Sequence, residues 1–240
     1  MTVELLGRFT VYVDGTVVPA QAWPGRRPLE LVALLALAER RTLLRDQVLE
    51  ALWPHLTPEA GAANLRKAAH HARQTLGRED TVVLAGGRVS LCPGDEVGTD
   101  VERFECAAMA ALRAGDPEAC AAAAALGTGE LLPDALYEEW THARREQLAR
   151  MRVDLLRRAG AWEQLVEADP TDEGAYRELM RAAMAGGQRH AAIRWYGRLR
   201  TALERELGLR PDAESRALHN SCVADLAERG ISSPTGVTLG

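Results

Sequence analysis

The chain has 240 residues, 47% hydrophobic and 26% charged. That suffices to bury the core of one large domain or two small ones, and it is not the composition of a disordered chain. The formal charge is −5, with 11 basic and 12 acidic groups in residues 1–100, so the protein as a whole is not a nonspecific polyanion binder and any nucleic-acid signal must come from local clustering. No apolar run approaches the roughly 20 residues that span a bilayer. The start MTVELLGRFT lacks the basic and apolar regions of a signal peptide, and a cytoplasmic protein without a membrane partner is expected.

From Val3 to Val18 apolar and polar residues alternate around Phe9, Val11 and Val13 and turn at Asp14-Gly15, which predicts a small antiparallel sheet. Leu31, Leu34, Leu35 and Ala38 then recur at helical spacing and predict a helix from Leu29 to Glu39, entered through Arg26-Arg27-Pro28. A short strand is expected over Thr42 to Leu44. After it, Asp46 is the expected cap of a second helix, DQVLEALW, whose end is marked by Pro54. Thr57-Pro58-Glu59 opens a third helix with a side-chain acceptor, a residue suited to the first position and an acid at the positive end of the macrodipole. This helix is expected to run to Leu76, and TVVLAGGRVSL after it reads as a hairpin around Gly86-Gly87. Sheet, three helices and hairpin in that order spell a winged helix.

The C-terminal run from Asp172 to Pro211 carries Tyr176, Leu179, Gly187, Ala192 and Tyr196 three, eight, five and four apart. These offsets predict a tetratricopeptide-like helix pair turning at Gly186-Gly187, its second helix stopped at Gly208 with Pro211 beyond. This run resembles the end of the bacterial transcriptional activator domain of regulators of the Streptomyces antibiotic regulatory protein (SARP) type. The N-terminal order, with LLGRF, VDG and ALWP, resembles the winged helix of the same regulators, as DEVGTDVERFE and GELLPDALYEEWTHARREQLARMRVDLLRRAG resemble their linker and helical core. The resemblance implies a mainly α fold with a small antiparallel β component: a winged-helix domain over 1–94, an all-α TPR-like domain over 95–229, and a mobile tail over 230–240. Between Arg158 and Tyr176 the chain is several residues shorter than such relatives, so a truncated or irregular repeat is expected there.

On the third helix Leu65, Ala68, Ala69, Ala72 and Leu76 cluster on one side and leave Lys67, His70 and Gln74 opposite, flanked by Arg66, His71 and Arg73. Residues 60–78 hold four basic side chains and no acidic one, a local field suited to the phosphate-lined major groove. Lys67, His70 and Gln74 have donors that reach base edges, while Arg66 and Arg73 suit phosphates and Arg88 at the hairpin suits phosphate or the minor groove. The same basic residues would also serve simply to keep an exposed helix soluble. Arg88-Val89-Ser90-Leu91 stands where relatives often have Gly-Tyr-Arg-Leu, leaving the wing contact to Arg88.

Cys92, Cys106, Cys120 and Cys222 form no CxxC pair and have no histidine at ligand spacing, and His70 and His71 are adjacent and diverge, so no metal or cofactor is expected. None of the common nucleotide-binding, zinc-protease or serine-hydrolase motifs occurs, and Glu138-Glu139 diverge on a helix, so no enzyme is expected. Trp140, Trp162, Tyr176, Trp195 and Tyr196 read as helix packing. The resemblance implies a sequence-specific regulator, an activator of transcription. It would bind double-stranded DNA at direct repeats as a homodimer and contact RNA polymerase through its helical domain. The rival readings are a TPR-like protein-interaction module and a small-molecule sensor, each with a winged helix that does not bind DNA.

Overall fold

The structure is a computed structural model describing residues 1–231. The chain forms two compact units, one made of Met1–Arg113 with Ala122–Arg150 and the other of Ala114–Ala121 with the chain from Met151 on. The tail expected over 230–240 lies, from 232 on, outside the described residues.

In the first unit, β1 (Thr2–Glu4), β2 (Thr10–Val13) and β3 (Thr16–Val17) form an antiparallel meander. Asp14 and Gly15 both take left-handed φ, 50° and 77°, the geometry whose twist suits a two-residue hairpin. The helix α1 (Arg26–Leu37) starts three residues before the predicted Leu29, following Gly25. Next come β4 (Thr42–Leu44), α2 (Arg45–Leu52), α3 (Pro58–Leu76), β5 (Val82–Ala85) and β6 (Arg88–Leu91). The α2 start differs from expectation: Arg45 is already helical, and the side chain of Gln47, not Asp46, reaches back to accept from the Leu44 N–H at 2.9 Å. The hairpin β5–β6 is joined by β4 in the order β4-β6-β5. Leu31, Leu35, Val48, Leu52, Leu65, Ala69, Ala72 and Val89 are fully buried.

The first sheet is mixed, not purely antiparallel. β7 (Gly98–Thr99) pairs parallel to β1, giving the order β3-β2-β1-β7. Periodicity does not reveal so short a strand. Thr99 and Glu102 form a reciprocal capping box at the start of α4 (Asp100–Ala114): Thr99 Oγ1 accepts from the Glu102 N–H at 3.0 Å and Glu102 accepts from the Thr99 N–H at 3.3 Å. The Asp100 carboxylate accepts from the N–H groups of Leu5 and Leu6 at 2.9 Å each. A segment assigned by its sequence to the second module thus completes the N-terminal sheet. The chain crosses between the units at the last residue of α4, within α5 (Pro117–Leu126) and within α6 (Glu139–Ala159).

In the second unit the short segment after Arg158 yields α7 (Trp162–Ala168), a helix of 7 residues. It is followed by α8 (Glu173–Ala185), α9 (Arg189–Leu207) and α10 (Ala213–Ile231). α8 and α9 make the predicted hairpin, turning at Gly187 with φ 72°. Tyr176, Leu179 and Ala192 are buried as expected. The Tyr176 and Trp195 rings lie 6.2 Å apart, and Tyr196 stacks on His219 of α10 at 4.1 Å. Met180, Ala192 and Cys222 close the packing of the three helices. Asp172 caps α8, accepting from the Ala175 N–H at 2.9 Å and from Arg157 at 2.6 Å.

Candidate nucleic-acid interface

The helix α3 is built as its sequence requires. Thr57 Oγ1 accepts from the Ala60 N–H at 3.3 Å, Pro58 occupies the first position, and Gly77 ends the helix in the left-handed region at φ 72°. Its inner stripe of Gly61, Ala62, Leu65, Ala68, Ala69, Ala72 and Leu76 is buried. Gly61 marks the close approach to α2: a Cβ there would stand 3.3 Å from the Leu49 side chain. Small residues let the two helices seat closely, which leaves the opposite face of α3 uncovered.

Lys67, His70 and Gln74 are all exposed on that outer face, and Arg66 is exposed on its flank. Ala60 and Ala63 keep its first turns slim. Among the described residues no carboxylate pairs with Arg66 or Lys67. His71 is half-buried, and its ring centroid lies 5.7 Å from that of His70 at an interplanar angle of 51°. Among the described residues no cluster of three or more His, Cys, Asp or Glu side chains could hold a metal ion.

Arg73 stands apart from the other predicted contacts. It is half-buried, and its Nε donates to the Val82 carbonyl at 2.7 Å. The side chain therefore ties α3 to the first strand of the hairpin, and only part of its guanidinium remains for a phosphate. The hairpin tip is Gly86-Gly87, with φ 57° and 73°. Arg88 is exposed just past it, and Arg45 is exposed beside it because the Arg45 N–H donates to the Gly87 carbonyl at 2.8 Å. The α2 start at Arg45 pairs two cations at the wing. A helix beginning at Asp46 leaves Arg45 outside it.

Asn64, Lys67 and His71 share a shallow groove of about 240 Å³ with Arg26, Arg27 and Trp53. Arg26-Arg27, expected only as a helix entry, and Asn64, which no motif marks, thus join the predicted residues. The charge of the two arginines is balanced. Glu30, 1% exposed, takes Arg26 through Nε and Arg27 at 2.6 Å, and Glu138 takes Arg26 at 3.1 Å. A buried carboxylate needs such partners. The pair therefore adds shape and donors to the groove but little net field, and Glu138 serves as an ion-pair acceptor.

Elsewhere in this unit, Arg78 holds the Asp80 carboxyl below its usual range through a side-chain hydrogen bond. Burial pushes the Cys92 thiol upward, which makes it a poor nucleophile. No helix among the described residues is long and apolar enough to cross a membrane.

Comparison with known proteins bears on both ends of the chain. The solved structure of Mycobacterium tuberculosis EmbR in complex with a low-affinity phosphopeptide has a similar fold, with a TM-score of 0.67 at 22% sequence identity over 93% of this chain. The chain spans 65% of the length of that structure. No curated protein matches. Residues 99–222 match the family described as the bacterial transcriptional activator domain. That match takes in half of the chain, including the run from Asp172 to Pro211 whose repeat-like spacing resembled SARP-type regulators, and the chain belongs to the bacterial transcriptional activator domain family.

Proposed function

We propose that the protein is a sequence-specific DNA-binding activator of transcription, with α3 in the major groove. One observation carries the reading: an outward row of Lys67, His70 and Gln74, flanked by Arg66, on a helix segment without acidic residues in a chain of net charge −5. Lys67, His70, Gln74 and the neighbouring Asn64 read base edges, while Arg66, Arg45 and Arg88 hold phosphates. His71 lines the flanking groove, and Arg73 fixes the angle between helix and wing. The 1–94 segment serves as the DNA reader and 95–229 as the module for self-association and contact with RNA polymerase. Two copies occupy a direct repeat with half-sites about one helical turn apart. The protein works in the cytoplasm and has no catalytic role.

The test is selection of binding sequences from a random duplex pool with the full chain and with the K67A/Q74A double variant. An enriched direct repeat that the variant loses is the expected result. No enrichment from protein shown to be folded would overturn the proposal and favour the interaction-module reading.

A further inference from the structure

Sulfur side chains from two helices meet in the core of the second unit. Met180 and Met184 stand four residues apart on α8, which puts both on one face of that helix. Cys222 of α10 lies against that face, and its Sγ donates to Met184 Sδ at 3.1 Å. Met180, Ala192 and Cys222 form one buried cluster, with Met184, Ile193, Tyr196 and Leu218 packed against it. Met180 and Cys222 are fully buried and Met184 is half-buried.

Packing alone does not call for sulfur at both methionine positions. Leucine matches methionine in volume and exchanges with it at small cost, and the same unit buries leucine at Leu179, Leu199 and Leu203. What methionine adds at this place is a second kind of sulfur donor beside the thiol.

The donors select the ion. Thiolate and thioether are soft ligands, suited to Cu(I) and unsuited to magnesium, calcium or manganese. Zinc draws on thiolate, imidazole and carboxylate in sets of four, and one thiolate with two thioethers is not such a set. Charge points the same way. The surroundings are apolar, with Ala192, Ile193 and Leu218 among them, and a single thiolate cancels the charge of a monovalent ion but leaves a divalent one with a net buried charge, which is costly. Half-buried Met184 stands two residues before the Gly186-Gly187 turn and gives an ion a way in.

We propose that Cys222, Met184 and Met180 bind a single Cu(I) ion that ties α10 to α8. On binding, the Cys222 S–H bond breaks, its proton passes to solvent and the thiolate sulfur bonds the ion, which enters and stays as Cu(I) with no electron transferred. All three ligands belong to the second unit, so the site stands or falls independently of the DNA reading.

The test is an anaerobic competition titration in which the full chain takes Cu(I) from its coloured bicinchoninate complex. The chain carries Cys106→Ala, which removes the exposed thiol. Removal of one equivalent per chain is expected, with a Tm that rises as Cu(I) is bound. Met184→Leu keeps the volume and deletes the donor, so the Tm of the metal-free chain should hold while affinity for Cu(I) falls about tenfold; M180L should behave alike, and C222A should abolish the transfer. Unchanged affinity in M184L would overturn the proposal by reducing the sulfur contact to core packing. Failure of the chain to take Cu(I) from bicinchoninate, transfer that survives C222A, or equal affinity for Zn(II) would overturn it as well.

Discussion

Asp100 joins the N-terminal sheet to the helical region, and its removal has a calculable cost. Its carboxylate receives the N–H groups of Leu5 and Leu6 at 2.9 Å each. The opposite edge of that segment is held by the Leu132 N–H donating to Leu5 O at 2.8 Å, and the bonds of both amides go to the Asp100 carboxylate. Asp100→Ala leaves both unpaired. Leu5 is fully buried, and an orphaned buried donor costs about 1–3 kcal/mol. Leu6 is half-buried, so water recovers part of its bond and its loss lies near the low end, about 1 kcal/mol. Together the loss is about 2–4 kcal/mol, a large share of the roughly 5–15 kcal/mol that holds a typical protein folded. Asn at this position keeps one acceptor but sets an amide N–H against a backbone N–H, so D100N should fall between wild type and D100A. Because the chain has two units, a single global transition is not the right readout. Amide hydrogen exchange over residues 1–13 isolates the affected strands, with urea stability as support. Exchange unchanged in D100A, with stability within about 0.5 kcal/mol of wild type, would refute the assignment of Asp100 as a clamp.

Two further outcomes follow from the same geometry. Arg66→Ala should leave Tm unchanged, weaken all DNA sequences alike and reduce the salt slope of binding by about 0.9, whereas Arg73→Ala should also lower stability by about 1 kcal/mol through loss of the Val82 bond; equal effects on Tm in paired thermal melts would count against separate roles. Burial works against ionisation of Asp172, but the Ala175 N–H and the Arg157 guanidinium outweigh it and hold the carboxyl below its usual range. Its contribution is therefore complete above the unfolded carboxylate range and is lost as pH falls through the depressed folded value. Asp172→Ala should cost about 1 kcal/mol at neutral pH and flatten the acid limb of a stability-versus-pH curve, and an unaltered limb would sink the assignment.

What was legible in the sequence is what short-range chemistry determines. Thr57-Pro58-Glu59, the alanine-rich stripe of α3, Asp14-Gly15 and Gly186-Gly187 act within a turn or two of themselves, and the structure follows them. The outer row of α3 was legible for the same reason, since helical periodicity alone separates Lys67, His70 and Gln74 from the core. Most of the differences involve distant partners. β7 is two residues long and exists because β1 offers it an edge. The bond from Arg73 to Val82, which leaves only part of its guanidinium for a phosphate, joins residues nine apart on different elements, and Arg26-Arg27 become neutral in effect because Glu138, more than a hundred residues away, closes on them. Asp46 looked like a cap because it is acidic and near the helix start, yet Gln47 has the reach to return to the Leu44 N–H.

The pairing of β1 with β7 also imposes an order on synthesis. The sequence of α3 is complete at residue 76, but β1 has an open edge until residue 99 has been added, and the first unit draws on the chain as far as Arg150. At roughly 5–20 residues per second, several seconds separate the emergence of α3 from that of the last residues of its unit. During that interval the nascent chain shows a row of unsatisfied backbone groups to its neighbours on the polysome. A message cut short near residue 94 would yield a product with the whole of α3 and an unfinished sheet. Translation past residue 99 is thus a condition for a finished N-terminal sheet.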